Sequence, residues 1–187
     1  MNETKKLNIL LADDDEDDRM IFGDIVQQME LNITFNTVSD GEQLIQKLTD
    51  CRFPLPDLIF LDLNMPNKNG KECLKEIKTH PCLKHLHVII YSTSAAEKDV
   101  RDAYEHGASL YIQKPSNIKG LRKTLAKTLS MNWQNGHKKA DKDSFLLKAK
   151  TALNHFHTGF RTLPAGLRAF PAMLVVVLCT FLCAGKA

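Results

Sequence analysis

The 187-residue sequence predicts an α/β protein: a doubly wound parallel sheet with helices on both faces. Three observations carry that prediction. Short apolar runs and helical patterns alternate five times between residues 7 and 129. Glycine and proline punctuate the joins, with prolines around Leu58–Leu61 and Gly107 closing a helical stretch. Polar, chemically reactive residues stand at the carboxyl ends of the apolar runs, where open sheets of this kind bind ligands.

The elements follow in order. Leu7–Ala12 reads as a buried strand, and Glu16–Gln28 as a helix with Met20, Ile21, Ile25 and Met29 along one face. Ile33–Val38 is a β-branched strand, followed by a short helix over Glu42–Leu48. Leu58–Leu61 is a third strand and Gly70–Lys78 a third helix. Val88–Tyr91 precedes a helix over Ala95–His106. Leu110–Ile112 is a short strand before Pro115. Asn117–Leu129 is the last helix, with Leu121, Leu125 and Leu129 four residues apart.

Composition sets limits. Hydrophobic residues make up 43% and charged residues 25%, as in ordinary soluble domains. The net charge of +3 implies no strong preference for polyanions. Residues 151–187 hold Arg161, Arg168 and Lys186 and no acid, so a compositional break falls near residue 150. The five cysteines are odd in number and lack CxxC spacing, which suits a reduced, cytoplasmic setting. The apolar run near the N-terminus is too short for a signal peptide.

Residues 13–18 read DDDEDD, a dense block of negative charge that needs compensation. Asp15 is placed to cap the first helix, with Glu16, Asp17 and Asp18 in its first turn, where the helix end favours acids by about 0.3–1 kcal/mol each. Asp13 and Asp14 are left at the end of the first strand. Asp62 follows the third strand, Ser92 the fourth and Lys114 the fifth, all on one edge. Three carboxylates at one point suit a hard divalent cation such as Mg²⁺. A carboxylate beside such a cation and a lysine is a nucleophile toward phosphoryl groups.

The stretches LLADDDED, LIFLDLNMPNKNG, VIIYSTSA and GASLYIQKP together resemble the receiver domain of two-component response regulators, the CheY-like, flavodoxin-like (βα)5 fold. The resemblance implies strand order 2-1-3-4-5 and a receiver over residues 5–130, of the stand-alone, single-domain type. It implies Asp62 as phosphoacceptor, with Asp13, Asp14, Asp62 and the backbone carbonyl of Asn64 as Mg²⁺ ligands. Lys114 and Ser92 would hold phosphoryl oxygens, Ser92 and Tyr111 would act as the switch pair, and the Lys114–Pro115 bond would be cis. A sensor histidine kinase or phosphotransfer protein is the implied donor. A downstream protein would read the face formed by the fourth helix, fifth strand and fifth helix. The chain would catalyse only phosphotransfer to its own aspartate.

Two other readings stay open. Aspartate-nucleophile phosphatases share the carboxylate, Mg²⁺ and lysine, but carry a second acid where this chain has Asn64. A phosphorylation-independent scaffold of the same fold has no need of the acidic pocket. His80, Cys82, His85 and His87 match no common zinc spacing and read as loop residues. Lys119, Arg122, Lys123 and Lys127 make the last helix basic, which suits a solvated or partner-facing helix. No helix-turn-helix pattern follows, so no DNA-binding domain is expected. Residues 131–150 read as a polar linker or helix extension and 151–187 as a tail. The uncharged segment 172–184 is shorter than the roughly 20 residues of a membrane span. It fits a marginal membrane anchor, a helix packing on the receiver or on a second copy in a homodimer, or an extension without a role.

Overall fold

The computed structural model describes residues 6–133 and 144–148. The tail 151–187, with its apolar segment 172–184, lies outside the described residues. Among the described residues no helix is long and apolar enough to cross a membrane.

In chain order the elements are β1 (Leu7–Ala12), α1 (Glu16–Gln28), β2 (Ile33–Val38), α2 (Gly41–Thr49), β3 (Leu58–Leu61), α3 (Gly70–Thr79), β4 (His87–Ser92), α4 (Glu97–Glu105), β5 (Leu110–Gln113), α5 (Ile118–Leu129) and β6 (Leu146–Leu147). All strands pair in parallel in the order β2-β1-β3-β4-β5-β6. The first five therefore run 2-1-3-4-5, as the sequence predicts.

The strand pleat divides the core. Leu10 and Ala12 of β1 face the side covered by Leu44 and Leu48 of α2, Leu74 and Ile77 of α3 and Ala103 of α4. Ile9 and Leu11 face the other side, against Phe22, Ile25 and Val26 of α1 and Leu121 and Leu125 of α5. Phe22 anchors that layer, edge-on to Phe60 at 4.9 Å and to Tyr91 at 5.5 Å.

Three differences from the sequence reading have physical causes. The buried face of α1 is Phe22, Ile25 and Val26, and Met20 is 58% exposed. Spacings of three and four from Phe22 put these bulky groups on the sheet and turn Met20 to solvent. The Lys114–Pro115 peptide, expected cis, is trans, since no peptide bond is cis among the described residues. Trans is the intrinsically favoured isomer, and from it Lys114 donates its N–H to the Ser92 carbonyl at 2.8 Å while its side chain reaches the acidic pocket. The third difference is β6. Residues 131–150, expected as a polar linker or helix extension, include a strand that extends the sheet past β5, with Phe145 fully buried beside it. Residues 134–143 lie outside the described residues.

Candidate functional site

The site is assembled from strand ends. Register pairs Ala12 of β1 with Leu61 of β3, and Leu61 with Ile90 of β4, so the residues just beyond them share one edge. Asp13, Asp14 and Asp62 meet there, with Lys114 arriving from beyond β5 and Ser92 standing at the end of β4. The turn after β1 is fixed by its own acids: the Asp15 N–H donates to Asp13 Oδ1 at 3.1 Å. Asp15 caps α1 as expected, accepting from the N–H groups of Asp17 at 2.9 Å and Asp18 at 3.1 Å. After β3, the Asn64 N–H donates to Asp62 Oδ1 at 3.2 Å and the Gly70 N–H to the Leu63 carbonyl at 3.0 Å. Gly70 lets α3 press against this loop: a Cβ there would lie 2.0 Å from the Asp62 carbonyl oxygen.

Lys114 is the hub. Its Nζ lies 2.8 Å from Asp13 Oδ2, 2.8 Å from Asp18 Oδ2 and 2.9 Å from Asp62 Oδ2, over the Tyr91 ring at 5.2 Å. Burial opposes its charge, but hydrogen bonds to Asp13, Asp18 and Asp62 outweigh it and hold the ammonium well above the usual lysine range. Asp18 was read from the sequence only as a first-turn acid. It reaches the pocket only because Lys114 folds back from beyond β5 onto the first turn of α1, so no local pattern signals it.

One lysine does not neutralise four carboxylates. An oxygen from each of Asp13, Asp14 and Asp62 lies within 4.8 Å of the others, which fits a small divalent cation. Among the described residues this is the sole grouping of that kind. His80 Nδ1 instead accepts from the Cys82 N–H, and the His87 ring contacts Ser109 Oγ and the Trp133 carbonyl.

Asp13 is fully buried, and burial raises its carboxyl from 3.8 to about 6, against the lowering effect of Lys114. The sign for stability follows. Between 3.8 and about 6 the folded state holds a proton that the unfolded state has lost, so stability falls as pH rises through that window. Asp13→Asn keeps an acceptor for Lys114 and removes the ionised group. In metal-free buffer it is expected to stabilise the protein by about 1–3 kcal/mol at pH 7, with the gain shrinking toward pH 4. Urea titrations across that pH range check it, and a gain independent of pH contradicts the assignment.

Ser92 Oγ is fully buried and is the one buried side-chain polar atom without a hydrogen bond among the described residues. Beside it, the Tyr111 hydroxyl donates to the Ser94 carbonyl at 2.9 Å, and burial pushes the Tyr111 phenol up to about 12. The expected residues thus converge: Asp13, Asp14, Asp62, Ser92 and Lys114 at the edge, the Asn64 backbone beside Asp62, and Tyr111 behind Ser92.

Residues 9–126 match the family described as "Response regulator receiver domain". The chain is 34% identical over 121 residues to response regulator Rcp1 of a Synechocystis species, covering 63% of this chain and 82% of that one. It is 30% identical over 123 residues to chemotaxis protein CheY-3 of Vibrio cholerae, covering 66% and 92%. Among solved structures, a Mn²⁺-bound form of Rcp1 aligns with a TM-score of 0.64 at 32% identity, over 69% of this chain and 96% of that one. A phosphorylated cyanobacterial phytochrome response regulator, RcpA, aligns with a TM-score of 0.63 at 31% identity, over 70% and 96%.

Proposed function

The chain belongs to the response regulator receiver family, and from that premise we propose that it accepts a phosphoryl group on Asp62, with Mg²⁺ in the acidic pocket. The observation that carries the proposal is the buried Asp62–Lys114 pair at 2.9 Å, beside two further acids and the unbonded Ser92 hydroxyl. Asp13, Asp14, Asp62 and the Asn64 carbonyl would hold the metal, which when bound offsets the charge building on the phosphoryl oxygens. A Mn²⁺-bound form of the relative Rcp1 supports a divalent cation as a ligand of this fold.

The donor is a phospho-histidine on a kinase or phosphotransfer protein. A carboxylate oxygen of Asp62 forms the new O–P bond as the P–N bond breaks, and the electron pair returns to the imidazole, which leaves neutral because its other ring nitrogen already carries a proton. Lys114 exchanges a carboxylate oxygen for a phosphoryl oxygen. The Ser92 hydroxyl, which makes no hydrogen bond of ordinary geometry, donates to another. Two residues past Asp62 stands Asn64, whose amide offers no general base to activate water for onward hydrolysis, which favours a switch over a phosphatase. The output is protein contact on the α5 side of the expected α4–β5–α5 face, because β6 and Phe145 already occupy the β5 edge and pack on Tyr104 of α4. There the exposed Lys119, Arg122, Lys123 and Lys127 of α5 favour an acidic partner surface.

The deciding experiment is intact-protein mass after incubation with acetyl phosphate, with and without Mg²⁺, for the parent and Asp62→Asn. One added phosphoryl group, dependent on both Mg²⁺ and Asp62, is expected. No addition to folded parent protein under any condition rejects the proposal in favour of a scaffold.

A further inference from the structure

We propose that Phe145, beyond the receiver motifs, is a positioning residue for phosphoryl transfer at Asp62. The inference rests on the phosphoacceptor reading above and adds a residue that the reading does not use.

Phe145 is 1% exposed although it follows a polar stretch. Its ring stands edge-on to Tyr104 of α4 at 5.1 Å and tilted against Tyr111 at 6.4 Å. Its carbonyl accepts the Tyr111 N–H at 2.8 Å. Tyr111 is therefore held through both backbone and ring, and Phe145 fills the space on one side of it.

Tyr111 in turn fixes the loop after β4. Its hydroxyl donates to the Ser94 carbonyl, two residues past Ser92. The Lys114 N–H donates to the Ser92 carbonyl from the other side. Ser92 Oγ is buried and makes no hydrogen bond of ordinary geometry, and its polar neighbour is the Tyr111 hydroxyl, which the same loop holds. The aim of the Ser92 hydroxyl toward a group on Asp62 depends on the loop that Tyr111 pins. The physical chain runs from Phe145 to Tyr111 by packing and a hydrogen bond, from Tyr111 to Ser94 by a hydrogen bond, and from Ser94 to Ser92 along the two-residue backbone between them.

The sign follows from preorganisation. Without the Phe145 ring, Tyr111 gains room to leave its seat, and only the seated fraction presents Ser92 correctly. The observed rate falls in proportion to that fraction.

The test uses the full chain and the initial rate of phosphoryl uptake from acetyl phosphate with Mg²⁺, read by intact mass at a temperature where circular dichroism shows folded protein. Phe145→Ala is expected to slow uptake about tenfold. Tyr111→Phe, which deletes only the hydroxyl, is expected to slow it similarly, and Phe145→Ala added to Tyr111→Phe is expected to change it little further. The melting temperature should still drop in that double variant, which separates positioning from mere stability. If Phe145→Ala does not fold, Phe145→Leu carries the same comparison. A parent chain that takes no phosphoryl group overturns both this inference and the function it rests on. A phosphorylated parent with Phe145→Ala at the same rate overturns this inference alone, as does full additivity with Tyr111→Phe.

Discussion

Replacing Lys114 with methionine is expected to lower stability by about 3–5 kcal/mol at neutral pH and to slow phosphoryl uptake on Asp62 by about 10²–10³-fold. The side chains are similar in length, so the loss is electrostatic rather than a cavity. The Lys114 ammonium is the cation bonded to both Asp13 and Asp62, and both acids are buried. Removing it strands two like charges at low solvent exposure. The pH dependence distinguishes this from a packing defect. The Asp13 carboxyl already sits raised to about 6, and loss of Lys114 removes a lowering influence on it, so mild acid should recover part of the deficit. Mg²⁺ should recover part as well, because a ligand that binds only the folded state stabilises it. Urea midpoints at two pH values, with and without Mg²⁺, check both recoveries. A midpoint equal to the parent's under all conditions contradicts the picture of Lys114 as the pocket's counter-charge.

Gly70→Ala is the second large effect, expected to cost about 3 kcal/mol and to disable Asp62 together with the fold around it. An added Cβ would lie 2.0 Å from the Asp62 carbonyl oxygen and 2.8 Å from the Leu63 Cα. Those neighbours are backbone, and they cannot swing aside as a side-chain tip can. Either α3 retreats, breaking the Gly70 N–H to Leu63 carbonyl bond, or the residues after β3 move with Asp62 among them. Chemical denaturation measures the first consequence and the phosphorylation rate the second. A parent-like rate in a destabilised variant would show that α3 yields and the aspartate does not.

Most of this architecture is legible in the residues because β1, β3, β4 and β5 are apolar runs and β2 is rich in β-branched residues, each set off from its helix by turn or capping residues. Asp15 and Gly107 do in the structure what their chemistry suggests, the first capping α1 and the second closing α4 at φ +87°. The pocket is legible because its members follow strand ends, so topology alone brings them together. What escaped has a common cause: contacts made across long sequence distances by short or ambiguous segments. A two-residue strand has no period to detect, and Leu146–Leu147 is recognisable only once the edge of β5 exists to receive it. Met20 and Phe22 are both apolar, so periodicity alone does not choose the buried face of α1, and only the sheet decides between them. Asp18 looks like a solvated helix-start acid until Lys114, 96 positions away, folds back onto it.

The sixth strand has a further consequence, for self-association. A chain ending after α5 would leave β5 as an open edge, with the Tyr111 N–H unpaired and the rings of Tyr104 and Tyr111 uncovered on that side. An open edge flanked by apolar surface is a template for a strand from another molecule. Aggregates or dimers formed by such a shortened chain would report the missing cover rather than a native assembly. By the same logic, a partner seeking to add its own strand beside β5 must first displace Phe145–Leu147, so the short segment screens the sheet against unselected neighbours.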